Sequence, residues 1–300
     1  MSAIKKQTVS LVLGSGGARG LAHVGVIRWL EAHDFEIKSI SGCSIGAAIG
    51  GAYAMGNLDS FVAWLTGYKR SDMYFMLDFI FGKGGFVKGD KVLETIKKQI
   101  GVGLIEELPI KFTAVAADIA NEEEVWLQEG ALCQAIRASI SLPLFFTPYE
   151  LNGVKLLDGG ILNPTPIEPT LKDDTDITIV VNLGGTPELK LPEKVIRKDP
   201  WQRKLDVYIN KMKKYRNKTS NEWSMMYVAD QSFNAMQNAI AQQKMKMYPP
   251  DYIINIPRNK CNTLEFEKSA EMIAFGYEMA GDVLGELCVV SKIIQNDECN

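Results

Sequence analysis

Apolar and polar positions alternate along the chain in blocks that predict strands followed by helices. The segment Thr8–Leu13 is rich in aliphatic and β-branched residues, and Leu21–Ala32 carries apolar side chains at helical spacing. A second strand and helix are predicted at Ile37–Ile40 and Ala47–Met55. Further strands are predicted at Lys111–Ala117, Glu124–Leu127, Val154–Leu157, Ile177–Leu183 and Tyr252–Ile256, and further helices at Ala131–Ala138 and Ser269–Leu287. This alternation predicts an α/β fold with a mostly parallel central sheet.

The pattern changes between positions 187 and 248, where helical spacing continues without a strand signal. Six of the twelve Met lie between Met212 and Met247, and Lys and Arg are concentrated in 203–218. No flexible linker or repeat separates this stretch from the rest. We therefore predict a single domain over 1–300 with a helical cap or insertion at about 187–248.

Composition and charge exclude several classes of protein. Lys and Arg total 33 against 36 Asp and Glu, and the net charge of −3 argues against nucleic-acid binding. Five Cys without a C-x-x-C pair suggest neither a disulfide framework nor a zinc knuckle. With only two His, a His-rich catalytic metal site is not expected, and we predict no metal or other cofactor.

The first residues, Met1–Lys6, look like the basic start of a signal peptide. The apolar stretch that follows, Val9–Leu13, is too short for the hydrophobic region of such a peptide and leads into a glycine turn. No run approaches the ~18 apolar residues of a membrane span. The sequence predicts a cytoplasmic protein.

The first motif that carries chemistry is Gly42-Cys43-Ser44-Ile45-Gly46, a G-x-S-x-G between a predicted strand and a small-residue helix. This context is typical of a nucleophile elbow, in which a tight turn exposes the serine and small neighbours avoid steric clashes. The start of the following helix favours negative charge that develops beside the serine. Ser44 is therefore the candidate nucleophile.

A second motif, the glycine loop Gly14–Gly20, also lies between a strand and a helix. Such loops present backbone N–H groups to an anion, which could be a phosphate or a transient oxyanion. The dinucleotide fingerprint does not fit, because its third glycine would fall on Arg19, and the ending of a P-loop is absent. The alternative is a plain tight turn, which leaves unexplained why so many small residues are needed here.

The third motif, Asp158-Gly159-Gly160, places a carboxylate at the end of a predicted strand. It could be an ordinary turn. Both histidines, His23 and His33, precede Ser44, whereas an α/β-hydrolase triad needs its histidine after the serine and the acid. A serine nucleophile in this chain therefore needs another base, and Asp158 is the available candidate.

With these three motifs in order, the chain resembles the patatin-like phospholipase family, in the bacterial branch related to the neuropathy-target-esterase domain. The stretches Arg137–Pro143, Phe145–Pro148 and Asn163–Pro166 are similar to further segments of the family pattern, and the resemblance covers about residues 7–185. It implies a three-layer α/β/α fold and a Ser–Asp dyad of Ser44 and Asp158. It also implies an oxyanion hole formed by the backbone N–H groups of Gly16, Gly17 and Ala18.

One residue of the glycine loop departs from the family pattern. Ser15 stands where the family has the first of three glycines, and its hydroxyl could alter the geometry of the turn. Arg19 is compatible with two roles, since its guanidinium could orient the loop or meet a substrate phosphate.

The resemblance implies a serine acyl hydrolase acting on a lipid or another acyl ester, of the phospholipase A or lysophospholipase type. An apolar segment at 73–86 and a basic amphipathic one at 203–218 could make peripheral membrane contact. The preferred interpretations are a buried helix and turn for the first, and a solvated helix packed by its apolar stripe for the second. Two alternatives stay open: a non-catalytic lipid-binding or regulatory protein on the same fold, and a nucleotide-binding oxidoreductase that uses the glycine loop. The oligomeric state is not predicted.

Overall fold

A computed structural model of the chain describes residues 6–67, 90–143, 145–188 and 225–297. Within these ranges the chain forms one sheet of eight strands and a set of helices. The strands are β1 (Thr8–Leu13), β2 (Glu36–Cys43), β3 (Lys111–Asp118), β4 (Glu123–Leu127), β5 (Tyr149–Leu151), β6 (Val154–Asp158), β7 (Ile177–Gly185) and β8 (Tyr252–Pro257). The α-helices are α1 (Leu21–Ala32), α2 (Ile45–Ala54), α3 (Leu58–Thr66), α4 (Asp90–Ile100), α5 (Leu132–Ser139), α6 (Met225–Met247) and α7 (Ser269–Asp297).

Five strands form a parallel core in the order β3-β2-β1-β7-β8, whereas β4, β5 and β6 join through antiparallel pairs. Parallel strands bring their carboxyl ends to one edge of a sheet, where α/β proteins place their sites. Leu13 at the end of β1 pairs with Gly42 near the end of β2. The glycine loop and the serine turn therefore begin side by side.

The two faces of the sheet are covered by different helices. On β1, Leu11 and Leu13 face the large apolar core that also contains α1, α2 and α7. Val12 points to the other face, where it packs with Ile167 and Val180 beneath Met245 near the end of α6. Alternate residues of one strand are thus buried on opposite sides, as the pleat requires. The predicted α/β class, with helices on both faces of a mostly parallel sheet, is confirmed.

Strand β3 brings two distant parts of the chain end to end. Its residues Ala114 and Val115 pair with both β2 and β4, and its residues from Ala116 to Asp118 pair with both β4 and β6. Since each strand residue has one partner on each side, β2 and β6 lie on the same side of β3, one after the other. β2 ends at Cys43 opposite Val115, and β6 ends at Asp158 opposite Ala116.

Contacts divide the chain into two compact units, residues 1–187 with 237–300, and residues 188–236. In the second unit the structure describes the beginning of α6. The predicted cap at 187–248 stays a prediction, and the segments 73–86 and 203–218 lie outside the described residues. Three described elements go beyond the sequence prediction, namely α3, α4 and the short strand β5. None of the helices in the described ranges has the length and apolar character needed to cross a bilayer.

Candidate active site

Ser44 occupies a sharp turn between β2 and α2. Its backbone has φ 56° and ψ −123°, a conformation that residues other than glycine rarely adopt. Gly46 makes this turn possible, because a Cβ at that position would lie 2.1 Å from the carbonyl oxygen of Leu13. The serine is therefore held in a strained turn packed directly on the end of β1.

The structure brings Ser44 and Asp158 together. Ser44 Oγ donates a hydrogen bond of 2.6 Å to Asp158 Oδ2. The other carboxylate oxygen, Oδ1, accepts the backbone N–H of Gly160 at 2.8 Å and faces the thiol of Cys43 at 3.8 Å. Asp158 is 0% exposed, whereas Ser44 is partly exposed. A hydroxyl that can meet a substrate thus bonds to a carboxylate that water does not reach.

Burial sets the ionisation of this pair. It raises the pKa of Asp158 from 3.8 to about 6, against the opposing effect of hydrogen bonds from Ser44, Gly160 and Cys43. At neutral pH this carboxyl is ionised and is a stronger base than an ordinary aspartate. Burial also raises the pKa of the Cys43 thiol well above its usual value, and Asp158 adds to this effect. Cys43 is therefore a neutral hydrogen-bond donor beside the carboxylate.

Neither histidine takes part in the hydrogen bond between Ser44 and Asp158. Burial lowers the pKa of His23 to about 4, and its Nε2 is 2.8 Å from the carbonyl oxygen of Gly14. Since a carbonyl accepts hydrogen bonds, the neutral ring donates from Nε2 and supports the start of the glycine loop. The exposed His33 has its Nδ1 2.8 Å from the carbonyl oxygen of Trp29 and its ring stacked on the Trp29 indole.

The glycine loop is tied down at both ends. The N–H groups of Gly14 and Ser15 donate to the carbonyl oxygens of Val181 and Pro164 at 3.1 and 2.8 Å. The N–H of Ala18 donates to the Thr263 carbonyl oxygen at 2.9 Å, so this predicted oxyanion donor already has a partner within the protein. The N–H groups of Gly16 and Gly17 donate no hydrogen bond within the part of the chain that the structure describes. Among the described residues, two of the three predicted donors thus have N–H groups without a hydrogen-bond partner.

Arg19 is buried at the end of this loop and anchors it. Its guanidinium donates to the carbonyl oxygen of Cys261 at 3.0 Å. Together with the bond from Ala18 to Thr263, this contact fastens the loop to the segment between β8 and α7. Of the two roles left open for Arg19, orientation of the loop is the one that its position favours.

Ser139 is a site residue that sequence reasoning did not single out, although it lies in the family-like stretch Arg137–Pro143. Its hydroxyl accepts the backbone N–H of Ser44 at 2.9 Å and donates to the carbonyl oxygen of Val115 at 2.6 Å. The strained turn is thereby connected to β3, the strand that also pairs with Asp158. A buried hydroxyl that uses both its donor and its acceptor fixes the backbone on either side.

Helix α6 supplies two more residues that sequence reasoning missed. Gln237 donates from Nε2 to the Gly160 carbonyl oxygen at 3.0 Å and to Ser15 Oγ at 3.2 Å. Lys244 forms ion pairs with Glu124 and Glu168. Burial would raise the pKa of Glu124, but hydrogen bonds, first of all from Lys244, hold it below its usual range.

This acidic cluster also holds the segment that follows the Asp158 turn. Asn163 donates from Nδ2 to Glu124 at 2.8 Å and to Glu168 at 3.0 Å.

Among the described residues, no group of three or more His, Cys, Asp or Glu side chains is arranged to hold a metal ion.

Comparison with solved structures supports the fold. The crystal structure of VipD from Legionella pneumophila superposes with a TM-score of 0.51, covering 95% of this chain and 68% of that one, at 16% identity. At this low identity the likeness shows the fold alone.

Sequence comparison identifies relatives over most of the chain. An uncharacterized NTE family protein of Mycobacterium tuberculosis is 32% identical, with 92% of this chain and 91% of the relative covered. The lysophospholipase NTE1 of Candida albicans is 29% identical over 94% of this chain, which spans 20% of that longer protein. Residues 11–171 match the sequence profile of the patatin-like phospholipases. The chain therefore belongs to the patatin-like phospholipase family, a family of lipid hydrolases.

Proposed function

We propose that the chain is a serine acyl hydrolase that cleaves a carboxylic ester bond of a lipid, with Ser44 as nucleophile and Asp158 as general base. The observation that carries this proposal is the 2.6 Å hydrogen bond from Ser44 Oγ to Asp158 Oδ2 at a strained strand-to-helix turn. A nucleophile bonded to its base is the arrangement that activates a hydroxyl. The raised pKa of the buried Asp158 supports the role of a base near neutral pH.

In the proposed first step, Ser44 Oγ attacks the carbonyl carbon of the ester while its proton passes to Asp158. The tetrahedral intermediate collapses, the bond from carbon to the leaving oxygen breaks, and Asp158 returns the proton to the leaving alcohol. In the second step, Asp158 takes a proton from water and the resulting hydroxide attacks the acyl-enzyme. Asp158 then gives its proton to Ser44 Oγ as the fatty acid leaves.

The negative charge on the carbonyl oxygen needs donors that are already in place. We assign this role to the backbone N–H groups of Gly16 and Gly17. Losing a single oxyanion donor typically slows an acyl transfer by ~10²–10³-fold. Anchoring of the loop by Ala18 and Arg19 supports this assignment, because held donors need no reorganisation during the reaction.

The substrate class follows from the family and from the names of the relatives. The yeast relatives are named lysophospholipases, which makes a monoacyl phospholipid the first substrate to test. A diacyl phospholipid and a p-nitrophenyl acyl ester complete the comparison. Because such lipids reside in membranes or micelles, we also propose peripheral contact with a lipid surface. Co-sedimentation with liposomes of neutral or anionic composition tests that contact.

The experiment that tests the proposed chemistry is labelling with a fluorophosphonate probe, with the adduct located by mass spectrometry. We expect an adduct on Ser44 in the unmodified protein, none in Ser44→Ala, and a slower reaction in Asp158→Asn. The matched controls Ser60→Ala and Asp174→Asn change exposed residues and should react as the unmodified protein does. A folded protein that neither labels nor hydrolyses any of the three esters would contradict the proposal and favour a non-catalytic lipid-binding protein.

A further inference from the structure

We propose that Gln237 is a positioning residue that holds the turn carrying Asp158 and the glycine loop at a fixed separation. The inference rests on the proposed function, because the separation matters only if Asp158 acts on Ser44 beside the oxyanion donors. It assigns a role in the reaction to helix α6, which contains none of the family-like motifs.

The contacts of Gln237 join the two loops directly. Its amide nitrogen donates one hydrogen bond to the carbonyl oxygen of Gly160 at 3.0 Å and one to Ser15 Oγ at 3.2 Å. Gln237 as a whole residue is 7% exposed. Both protons of the amide are therefore used inside the protein, and each one reaches a different loop of the site.

On one side, the contact acts on the general base through a single residue. Gly160 receives the Gln237 amide at its carbonyl oxygen and donates its own N–H to Asp158 Oδ1 at 2.8 Å. The approach is close, because a Cβ at position 160 would lie 2.2 Å from Gln237 Nε2. A shift of the Gln237 amide would therefore move the N–H that orients the carboxylate.

On the other side, the contact reaches the residue that departs from the family pattern. The N–H of Ser15 donates to the Pro164 carbonyl oxygen, and its hydroxyl receives Gln237. Ser15 directly precedes Gly16, whose N–H is one of the two proposed oxyanion donors. The hydroxyl that replaces a glycine hydrogen thus gives the loop a side-chain attachment to α6.

The backbone of α6 is itself held in place next to Gln237. Ala241, one turn further along the helix, is buried. Lys244, about two turns further, is bonded to both Glu124 and Glu168. Glu168 and Asn163 lie in the segment that follows the Asp158 turn, and Asn163 also bonds to both carboxylates. Gln237 is thus presented from a fixed helix, as a positioning role requires.

The test compares Gln237→Met, which keeps the length of the side chain and removes its amide, with Gln242→Ala, an exposed residue of the same helix. With a p-nitrophenyl ester we expect kcat of Gln237→Met to fall about 10- to 100-fold while KM stays close to that of the unmodified protein. Gln242→Ala should keep both constants. Circular dichroism and melting temperature establish that each variant is folded before its rates are compared.

A second variant provides a readout that loss of packing alone would not move. Gln237→Glu keeps the shape but places a carboxylate near Asp158, so the acid limb of the pH–rate profile should shift to higher pH. The neighbouring groups that can also titrate are the Cys43 thiol, which faces Asp158, and Glu124, which acts on Cys43. The profiles with Gln237 and with Gln237→Glu are therefore compared again in proteins that also carry Cys43→Ala. The shift of the acid limb caused by Gln237→Glu should persist there.

The outcomes separate this inference from the proposed function. If Gln237→Met and Gln237→Glu match Gln242→Ala in kcat and in the acid limb, the positioning role is wrong although the hydrolase is active. If the unmodified protein forms no Ser44 adduct and hydrolyses no ester, the proposed function fails and the inference fails with it.

Discussion

The hydroxyl of Ser44 and the carboxylate of Asp158 lie 2.6 Å apart although 114 positions separate them along the chain. Their meeting is a consequence of pairing on β3. Val115 pairs with the residue before Ser44, and the next residue of β3, Ala116, pairs with Asp158. The geometry of the proposed dyad therefore depends on two adjacent positions of one strand.

The pH dependence of the reaction should report the buried carboxylate. Because Asp158 must be ionised to accept a proton and its pKa is raised to about 6, we expect kcat/KM to fall about tenfold per pH unit below pH 6. The measurement is the hydrolysis rate of a short-chain p-nitrophenyl ester, which avoids effects of the lipid surface. If the variant His33→Gln has the same acid limb in its pH–rate profile, the exposed histidine is not the origin of that limb. A limb near the ordinary aspartate pKa of ~3.9 would count against this account.

The same ionisation should make Asp158 a cost to stability. Its pKa in the folded protein is above that of the unfolded chain, so its stabilising contribution is complete below pH 3.8 and is lost as the pH rises through 6. The amide in Asp158→Asn cannot ionise, so this variant avoids the loss of unfolding free energy. We expect its melting temperature at pH 8 to be roughly 3–6 °C above that of the unmodified protein. At pH 5 the gap should narrow. Asp174→Asn, at an exposed position, should show no such pH-dependent gain.

The serine turn should not tolerate a methyl group behind it. A Cβ at Gly46 would lie 2.1 Å from the Leu13 carbonyl oxygen, whereas one at Gly285 in α7 would meet nothing within 4 Å. The Leu13 carbonyl belongs to the backbone of β1 and cannot move away without disturbing that strand. We therefore expect Gly46→Ala to lose about 2–4 kcal/mol of unfolding free energy together with its activity. Gly285→Ala should gain about 0.5–1 kcal/mol, since alanine favours a helix. Urea unfolding measures both, and equal midpoints would contradict the packing described here.

Lys244 should be needed for stability rather than for catalysis itself. Its removal in Lys244→Met leaves Glu124 and Glu168 as half-buried carboxylates without their common cation, and we expect a loss of about 3–5 kcal/mol at pH 8. The loss should shrink as the pH falls and Glu124, whose pKa the hydrogen bond from Lys244 helps to hold below its usual range, takes up a proton. Lys246→Met, at an exposed position two residues along the helix, is the matched control and should melt within a degree or two of the unmodified protein. Equal stability of the two variants at pH 8 would show that the ion pairs contribute little.

The parts of the fold that sequence could predict are those governed by local periodicity. β1 and α1 have the bounds that the spacing of apolar residues predicts, and β2 and α2 differ by a few residues at their ends. β5, by contrast, has three residues and depends on its pairing with β6. Its local signal is the dipeptide Asn152-Gly153, whose positive φ angles form the tight turn between the two strands, and the prediction above did not use it. Sequence also could not show that the Ala18 N–H would bond to Thr263, since that bond depends on how β8 and α7 are connected around the loop.

The supporting residues of the site were hidden for a related reason. Gln237 and Lys244 lie in a stretch whose composition suggested a polar helical insertion, and nothing local distinguishes Gln237 from its exposed neighbours Gln242 and Gln243. The one available signal is spacing, because Gln237 shares a helix face with the apolar residues Ala241 and Met245. A polar side chain in phase with an apolar stripe has to find a partner when that stripe is buried.

The anchoring of the glycine loop has a consequence for how the protein is made. Arg19 bonds to the carbonyl of Cys261, 242 positions later in the chain, and Ala18 bonds to Thr263. A nascent chain on the ribosome lacks these two partners until residue 263 has been added, and until then the loop that carries the N–H groups of Gly16 and Gly17 is without these two anchors. If Gly16 and Gly17 act as the proposed oxyanion donors, the enzyme becomes active only after residues 261–263 have been synthesised and have bonded to the loop.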